Sequence, residues 1–162
     1  LSQVSETLCI LLIPFVMSRF GIKRVMIIAM LAWVFRFGLF GFGNPGGGVW
    51  MFVLSMIVYG VAFDFFNVSG SLFVNQEVSG KLRSSAQGLF VLMTNGVGAT
   101  VGTLGAQAVI NNFVDMTSMA PQVEGWQTSW LIFAGYALAV AMLFMVVFDS
   151  GKKRQSTEKL TR

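Results

Sequence analysis

Five long apolar segments constrain this chain more than any other feature of its sequence. They lie at about residues 1–17, 25–42, 49–74, 86–110 and 126–148. Each is close to the ~20 residues that an α-helix needs to cross the hydrocarbon core of a bilayer. Only 11% of the residues are charged, whereas soluble domains have about 25%. The sequence therefore predicts an all-α membrane protein, with a transmembrane bundle of five helices over residues 1–149.

The cationic residues predict the orientation of these helices. Three of the 11 Lys and Arg residues lie in the loop 19–24 and two in the loop 77–84, while the loops 43–48 and 111–125 contain none. Five more lie in the tail 150–162. Because Lys and Arg concentrate in short cytoplasmic loops, the two basic loops and the C-terminus are expected in the cytoplasm. The tail, which is charged and almost free of apolar residues, is expected to be solvated and disordered.

This orientation also bears on what precedes the chain. Five spans with a cytoplasmic C-terminus place Leu1 on the outer side of the membrane, and no initiator Met is present. A chain that starts in the cytoplasm would need one more span before Leu1. The sequence thus predicts a fragment whose upstream helices are missing.

Composition disfavours several classes of function. There is no His, and Cys9 is the only cysteine, which excludes His-based metal sites, His-based triads and intrachain disulfides. No nucleophile lies in a recognisable pattern with a base, so neither an enzyme nor a bound cofactor or metal is expected. The net charge of +4 is accounted for by the basic loops and tail, so nucleic-acid binding is not expected either.

The third apolar segment contains a polar stretch, residues 59–71, that is unusual at membrane depth. An ionisable side chain near the bilayer centre costs roughly 3 kcal/mol or more, so Asp64 is expected to face a wet cavity or a partner. Tyr59, Phe63 and Asn67 recur every four residues and share a helix face that Asp64 adjoins. Aromatic faces stack on planar rings, and an amide hydrogen-bonds to them. These residues are interpreted as the lining of a pathway, with Asp64 as a candidate proton carrier.

The first two segments carry further polar candidates. Gln3 and Glu6 lie three residues apart and hence on one face of a helix. They lie among lipid headgroups if the helix begins at Leu1, and at membrane depth if it begins earlier. Arg36 is the only Lys or Arg inside a predicted span. It is expected to snorkel to the outer interface, to pair with a carboxylate such as Asp64 or Glu6, or to contact a substrate.

The last two segments carry weaker signals. Small residues mark the fourth, including Gly98 and Gly102 at the spacing that favours close helix packing. The same residues would alternatively let this helix bend or slide during transport. The fifth segment has no comparable feature and is interpreted as a lipid-facing support.

Several short motifs resemble one family of transporters. They are Ser-Gln-Val-Ser-Glu at 2–6, Arg-Phe-Gly-Ile-Lys at 19–23, Tyr-Gly at 59–60, Phe-Asp-Phe-Phe-Asn-Val-Ser-Gly-Ser at 63–71 and Ser-Ala-Gln-Gly at 85–88. Together they resemble bacterial nucleoside:proton symporters of the major facilitator superfamily, which have twelve helices in two bundles. The resemblance implies that this chain is helices eight to twelve, a partial C-terminal bundle without its N-terminal bundle.

The same resemblance implies a function and a set of site residues. Gln3 and Glu6 match residues that bind the nucleoside, and Tyr59 and Phe63 match residues that line the same cavity. Glu6 and Asp64 are both candidates for proton coupling. The implied activity is import of nucleosides with protons across the bacterial inner membrane by alternating access. Nucleosides, protons, the lipid bilayer and the N-terminal bundle are the implied partners.

Two alternatives stay open at this point. A major facilitator transporter for another small polar solute, such as a sugar, would share the helices and the basic loops. A truncated membrane protein that does not transport, but assembles with partners, would share the composition.

Overall fold

Helices with short connections make up the whole of the structure that is described. This computed structural model describes residues 2–44, 46–114 and 123–160. No strand occurs among these residues, in agreement with the predicted all-α class. Leu1, residues 161–162 and most of the predicted outer loop 111–125 lie outside the described residues.

A single glycine separates the first two helices. The helical stretch Ser2–Phe42 is interrupted at Gly21, whose φ is 77° and whose ψ is 159°. This backbone conformation is accessible essentially only to glycine, because a Cβ would clash. We call the two parts α1, residues 2–20, and α2, residues 22–42.

The core forms where α1 and α2 meet the third helix, α3, at Val49–Glu77. A buried cluster joins residues of all three helices: Cys9, Ile13, Val25, Ala29 and Phe65. A straight helix would hold residues 13 and 29 about 24 Å apart. Their shared cluster therefore means that α2 folds back along α1, and that Gly21 acts as a tight turn.

The number of membrane-length helices differs from the predicted five. Four stretches of the described residues are long and apolar enough to cross a membrane, namely Glu6–Phe42, Val49–Glu77, Gly80–Phe113 and Gly125–Val147. The difference arises because the turn at Gly21 occupies one residue, so α1 and α2 count as one stretch. The helices also extend beyond the predicted apolar segments, because hydropathy marks only the part of a helix that suits the membrane interior.

The fourth helix, α4, Gly80–Phe113, crosses α3 closely at Gly70. A Cβ at Gly70 would lie 2.5 Å from Cζ of Phe90, so only glycine permits the observed approach. Beside this crossing, Ser71 Oγ donates to Oε1 of Gln87 at 3.0 Å, and Gln87 Nε2 donates to the Ser71 carbonyl at 2.7 Å. These polar contacts fix the start of α4 against the end of α3.

Beyond this crossing α4 is loosely packed. None of its described residues is buried. A Cβ at Gly102 would meet no atom within 4 Å, so the close packing predicted for the Gly98–Gly102 spacing is not found among the described residues. The segment Leu92–Gly98 is π-helical, a local irregularity that often marks functional positions in helices.

The fifth helix, α5, runs from Val123 to Leu160 and packs against α2. It does not stop at the predicted end, residue 148. Residues 150–160 continue the helix, so the prediction of a disordered tail is wrong for this part. Lys, Arg, Gln and Glu are good helix formers, and they let a helix continue after its apolar part has ended.

Candidate functional site

Tyr59 and Phe63 form a stacked aromatic pair on α3. Their ring centroids are 5.4 Å apart and their planes differ by 17°, as the four-residue spacing on one helix face allows. Trp33 of α2 meets the Tyr59 ring edge-on, with centroids 6.0 Å apart and planes at 88°. Phe63 remains 38% exposed. The pair therefore presents a partly exposed aromatic surface, and the contact of Tyr59 with Trp33 of α2 restricts its orientation.

Arg36 of α2 lies in a cage of aromatic rings. Its Cζ is 4.3 Å from the ring centroid of Tyr59, 5.3 Å from that of Trp33 and 5.6 Å from that of Phe40. Trp33 and Phe40 share its helix face, being three and four residues away. Its Nε is buried and has no hydrogen-bond partner among the described residues.

This cage explains how α2 accommodates a cation. Inserting an arginine at membrane depth costs about 3 kcal/mol, while a cation–π contact contributes about 1 kcal/mol when exposed and about 2 kcal/mol when desolvated. Three such contacts are therefore of the size needed to offset the insertion cost. The structure places Arg36 against aromatic rings, and Arg36 forms no ion pair with Asp64 or Glu6 among the described residues.

The aromatic cluster continues from α2 to α5. Trp130 stacks on Phe40 with centroids 4.7 Å apart and on Phe37 with centroids 6.1 Å apart. Phe133 meets Trp130 edge-on at 5.7 Å. The interpretation of α5 as a lipid-facing support therefore missed a contact that holds α2 in place. The available signal was the 3–4 residue spacing of Trp33, Phe37 and Phe40, which puts these rings on one face of α2.

Asp64 faces away from the aromatic surface and into the protein. It is only 8% exposed, and its Oδ2 is buried without a hydrogen-bond partner among the described residues. The carboxylate that acts on it electrostatically is Glu6 of α1, which is itself partly exposed. The two residues that were predicted as candidates for proton coupling thus lie within electrostatic range of each other.

The buried face of α3 carries further unused hydrogen-bonding capacity. The hydroxyls of Ser55 and Ser69 are fully buried, and neither has a hydrogen-bond partner among the described residues. Buried polar groups are normally paired, so each such group needs an explanation. Together with Asp64, they make this face more polar than helix packing alone requires.

The side chains of Gln3 and Asn67 form no hydrogen bond with the side chain of another predicted site residue among the described residues. Gln3 is exposed on α1, one turn before Glu6, and its backbone carbonyl accepts a hydrogen bond from the Thr7 hydroxyl at 3.0 Å. Asn67 Nδ2 donates to the backbone carbonyl of Phe63 at 2.9 Å. This bond turns the Asn67 amide onto its own helix and leaves its side-chain carbonyl oxygen as the group that can accept from a ligand.

A separate cavity of about 860 Å³ lies at the other end of α3. Its lining comes from the Gly21 turn and the end of α3: Met17, Ser18, Arg19, Phe20, Gly21, Ile22, Lys23, Arg24, Leu72, Phe73, Gln76 and Glu77. None of the predicted site residues lines it. The candidate site is therefore the region of Tyr59, Phe63, Glu6 and Asp64, distinct from this cavity.

Comparison with known proteins gives matches that cover most of the chain. Residues 1–153 match the sequence profile of the family described as "Nucleoside H+ symporter". The nucleoside permease NupG of Escherichia coli strain K12 is 52% identical over 149 residues, which are 91% of this chain and 34% of the permease. The xanthosine permease of the same strain is 52% identical over 148 residues, with the same coverage. The chain thus spans about a third of the length of these relatives.

The fold matches solved structures as well. The crystal structure of the nucleoside transporter NupG superimposes with a TM-score of 0.82 at 52% identity, and covers 91% of this chain and 35% of the solved chain. The structure of a variant of that transporter gives a TM-score of 0.83 at 51% identity. The arrangement of helices described above is therefore the arrangement found in part of that transporter.

Proposed function

We propose that this chain, which belongs to the nucleoside H⁺ symporter family, forms most of the C-terminal bundle of a transporter that imports nucleosides with protons across the bacterial inner membrane. The observation that carries the proposal is the exposed stack of Tyr59 and Phe63 on one face of α3, next to a face on which the buried carboxylate of Asp64 has no hydrogen-bond partner for its Oδ2 among the described residues. An exposed aromatic surface suits a flat solute, and a buried carboxylate on the neighbouring face of the same helix suits a proton that moves with it.

The aromatic pair and the nearby polar groups bind a nucleoside in different ways, the rings by stacking and the polar groups by hydrogen bonds. Phe63 and Tyr59 stack against the nucleobase. Gln3 and Glu6 hydrogen-bond to the nucleoside, since an amide both donates and accepts while a carboxylate accepts from ribose hydroxyls. The side-chain carbonyl oxygen of Asn67 adds one acceptor on the same helix face as Phe63. The rest of the site is contributed by helices outside this chain.

Proton coupling is assigned to the two carboxylates, Glu6 and Asp64. An ionisable side chain at membrane depth normally faces a wet cavity or a partner, and Glu6 of α1 lies within electrostatic range of Asp64. With a proton bound, the interface between α1 and α3 can be closed off from water without burying two charges. Loss of the proton on the other side of the membrane restores the charges and favours reopening. Glu6 and Asp64 together thus link solvent access to protonation.

The remaining two-thirds of the transporter is the proposed partner of this chain. The relatives are about three times as long, and the exposed surface of α4 is available for packing against additional helices. Alternating access in such transporters is a rocking of one bundle against the other around a central site. The basic loops 19–24 and 77–84 support a cytoplasmic C-terminus.

The proposal is tested by uptake of labelled uridine and adenosine into bacteria that lack their own nucleoside transporters and express the full-length protein carrying this chain. We expect saturable uptake that a protonophore abolishes and that unlabelled nucleosides, but not sugars, compete. Competition by a sugar would instead support a transporter for another solute. Correct membrane insertion without any uptake would support the non-transporting alternative.

A further inference from the structure

We propose that Arg36 is a positioning residue of the substrate site. Its guanidinium fixes the orientation of the Tyr59 ring by a cation–π contact. The Tyr59 ring in turn stacks on the exposed ring of Phe63, and a nucleobase stacks on Phe63. This inference rests on the proposed function, because it takes base stacking as the role of Phe63. It adds to the site a residue of α2 that makes its contribution through Tyr59.

The guanidinium is fixed by rings from two helices. Trp33 and Phe40 hold it from its own helix, with ring centroids 5.3 Å and 5.6 Å from Cζ. Tyr59 holds it from α3, at the shortest of the three distances, 4.3 Å. Because the cation is held on α2 by two rings, it provides a fixed point against which the Tyr59 ring is oriented.

Contacts continue from Tyr59 towards the exposed surface. The Tyr59 ring lies nearly parallel to that of Phe63, and its orientation is restricted further by the edge of Trp33. Phe63 is exposed, whereas Arg36 is partly buried. The contacts therefore run from Arg36 to Tyr59 and from Tyr59 to Phe63. Arg36 is the partly buried member of this row, and the nucleobase stacks on the exposed member, Phe63.

Arginine suits this role better than other residues. Its guanidinium is planar and stacks on aromatic faces, whereas lysine is a compact and strongly hydrated point charge. Arginine also stays charged at any working pH, so the orientation of the Tyr59 ring is maintained while carboxylates elsewhere in the site gain and lose protons. Methionine would fill a similar volume without the charge or the planar group.

The first test measures uridine binding by calorimetry on the purified full-length protein that carries this chain. We expect Arg36→Met to weaken binding about 10-fold, and Arg36→Lys to restore part of it, to about 3-fold, because cation–π contact with lysine is possible but poorer. Arg24→Met, which removes a cation from the Gly21 turn, is the matched control and should leave the Kd unchanged. In a Tyr59→Leu background, Arg36→Met should have no further effect, since Arg36 acts through Tyr59.

The second test follows the Tyr59 ring without any nucleoside. Fluorine NMR on protein labelled with 3-fluorotyrosine reports the environment of each ring, and the Tyr59 signal is the one that disappears in Tyr59→Phe. We expect Arg36→Met to shift and broaden this signal, and Arg24→Met to leave it in place. An unchanged Tyr59 signal, or an effect of Arg36→Met that persists in full in the Tyr59→Leu background, would overturn the role of Arg36. A shifted signal in a protein that binds no nucleoside would instead overturn the proposed function.

Discussion

Replacing Asp64 by Asn is expected to reduce proton-driven nucleoside uptake about 100-fold, a typical effect of losing a positioned proton-transfer group, while nucleoside binding persists. Asn has almost the same shape as Asp but cannot exchange a proton. Because Asp64 is only 8% exposed and Asn has nearly the same volume, the substitution removes the titratable group without opening the packing. The measurement is uptake of labelled uridine into proteoliposomes with an alkaline interior.

Glu77→Gln is the matched control for this experiment. Glu77 lies at the exposed end of α3, on the same helix as Asp64, so its loss of charge should leave uptake unchanged. Glu6→Gln, tested in parallel, assigns the proton to one or both members of the pair. Gradient-driven uptake that survives both Asp64→Asn and Glu6→Gln would contradict the coupling role of this pair.

Replacing Phe63 by Ala is expected to weaken nucleoside binding about 5- to 150-fold, because stacking of a base on an aromatic side chain contributes about 1–3 kcal/mol. Phe63 is 38% exposed, so its removal should cost the fold little. Phe63→Tyr retains a ring of the same size and should bind nearly as well as the original protein. Calorimetric titration with uridine provides the measurement.

Phe42→Ala is the corresponding control. Phe42 is an exposed ring, 63% accessible, at the end of α2, and its loss should leave the Kd for uridine unchanged. Equal Kd values for Phe63→Ala and the original protein would show that Phe63 is not a stacking surface. Equal weakening by both alanine variants would point to a general loss of structure.

The membrane class and the approximate positions of the helices could be predicted from the sequence, because hydropathy is a local property. Each apolar segment is long enough by itself to form a membrane helix, and Gly21 lies in a short basic connection where a turn was expected. The resemblance to nucleoside:proton symporters, carried by motifs around Glu6 and Asp64, is confirmed by the family match over residues 1–153.

The partners of Arg36 could not be predicted from the sequence, because they depend on how helices cross. Periodicity places Trp33, Arg36 and Phe40 on one face of α2, but it does not say that this face meets Tyr59 of α3. Charge alone suggested snorkelling, a carboxylate partner or a substrate contact, whereas the structure surrounds the guanidinium with aromatic rings. The role of Trp130 was missed for the same reason, since an aromatic residue at a helix start also suits the membrane interface.

Hydropathy also could not predict where the helices end or where they are irregular. The continuation of α5 through residues 150–160 depends on backbone propensity after the apolar part has ended. The π-helical segment Leu92–Gly98 depends on a local shift in hydrogen bonding that no apolar pattern records. Both features lie outside the predicted site, so the site residues could be chosen without them.

Coupled movement of a nucleoside and a proton through the site of Phe63 and Asp64 is tested most directly by following protons instead of nucleoside. Proteoliposomes containing the full-length protein and an enclosed pH-sensitive dye are given uridine from outside, without an imposed pH gradient. We expect uridine to acidify the interior in the original protein, and Asp64→Asn to abolish this acidification while it still binds uridine. Uridine entry without acidification in the original protein would show that the nucleoside moves without a proton.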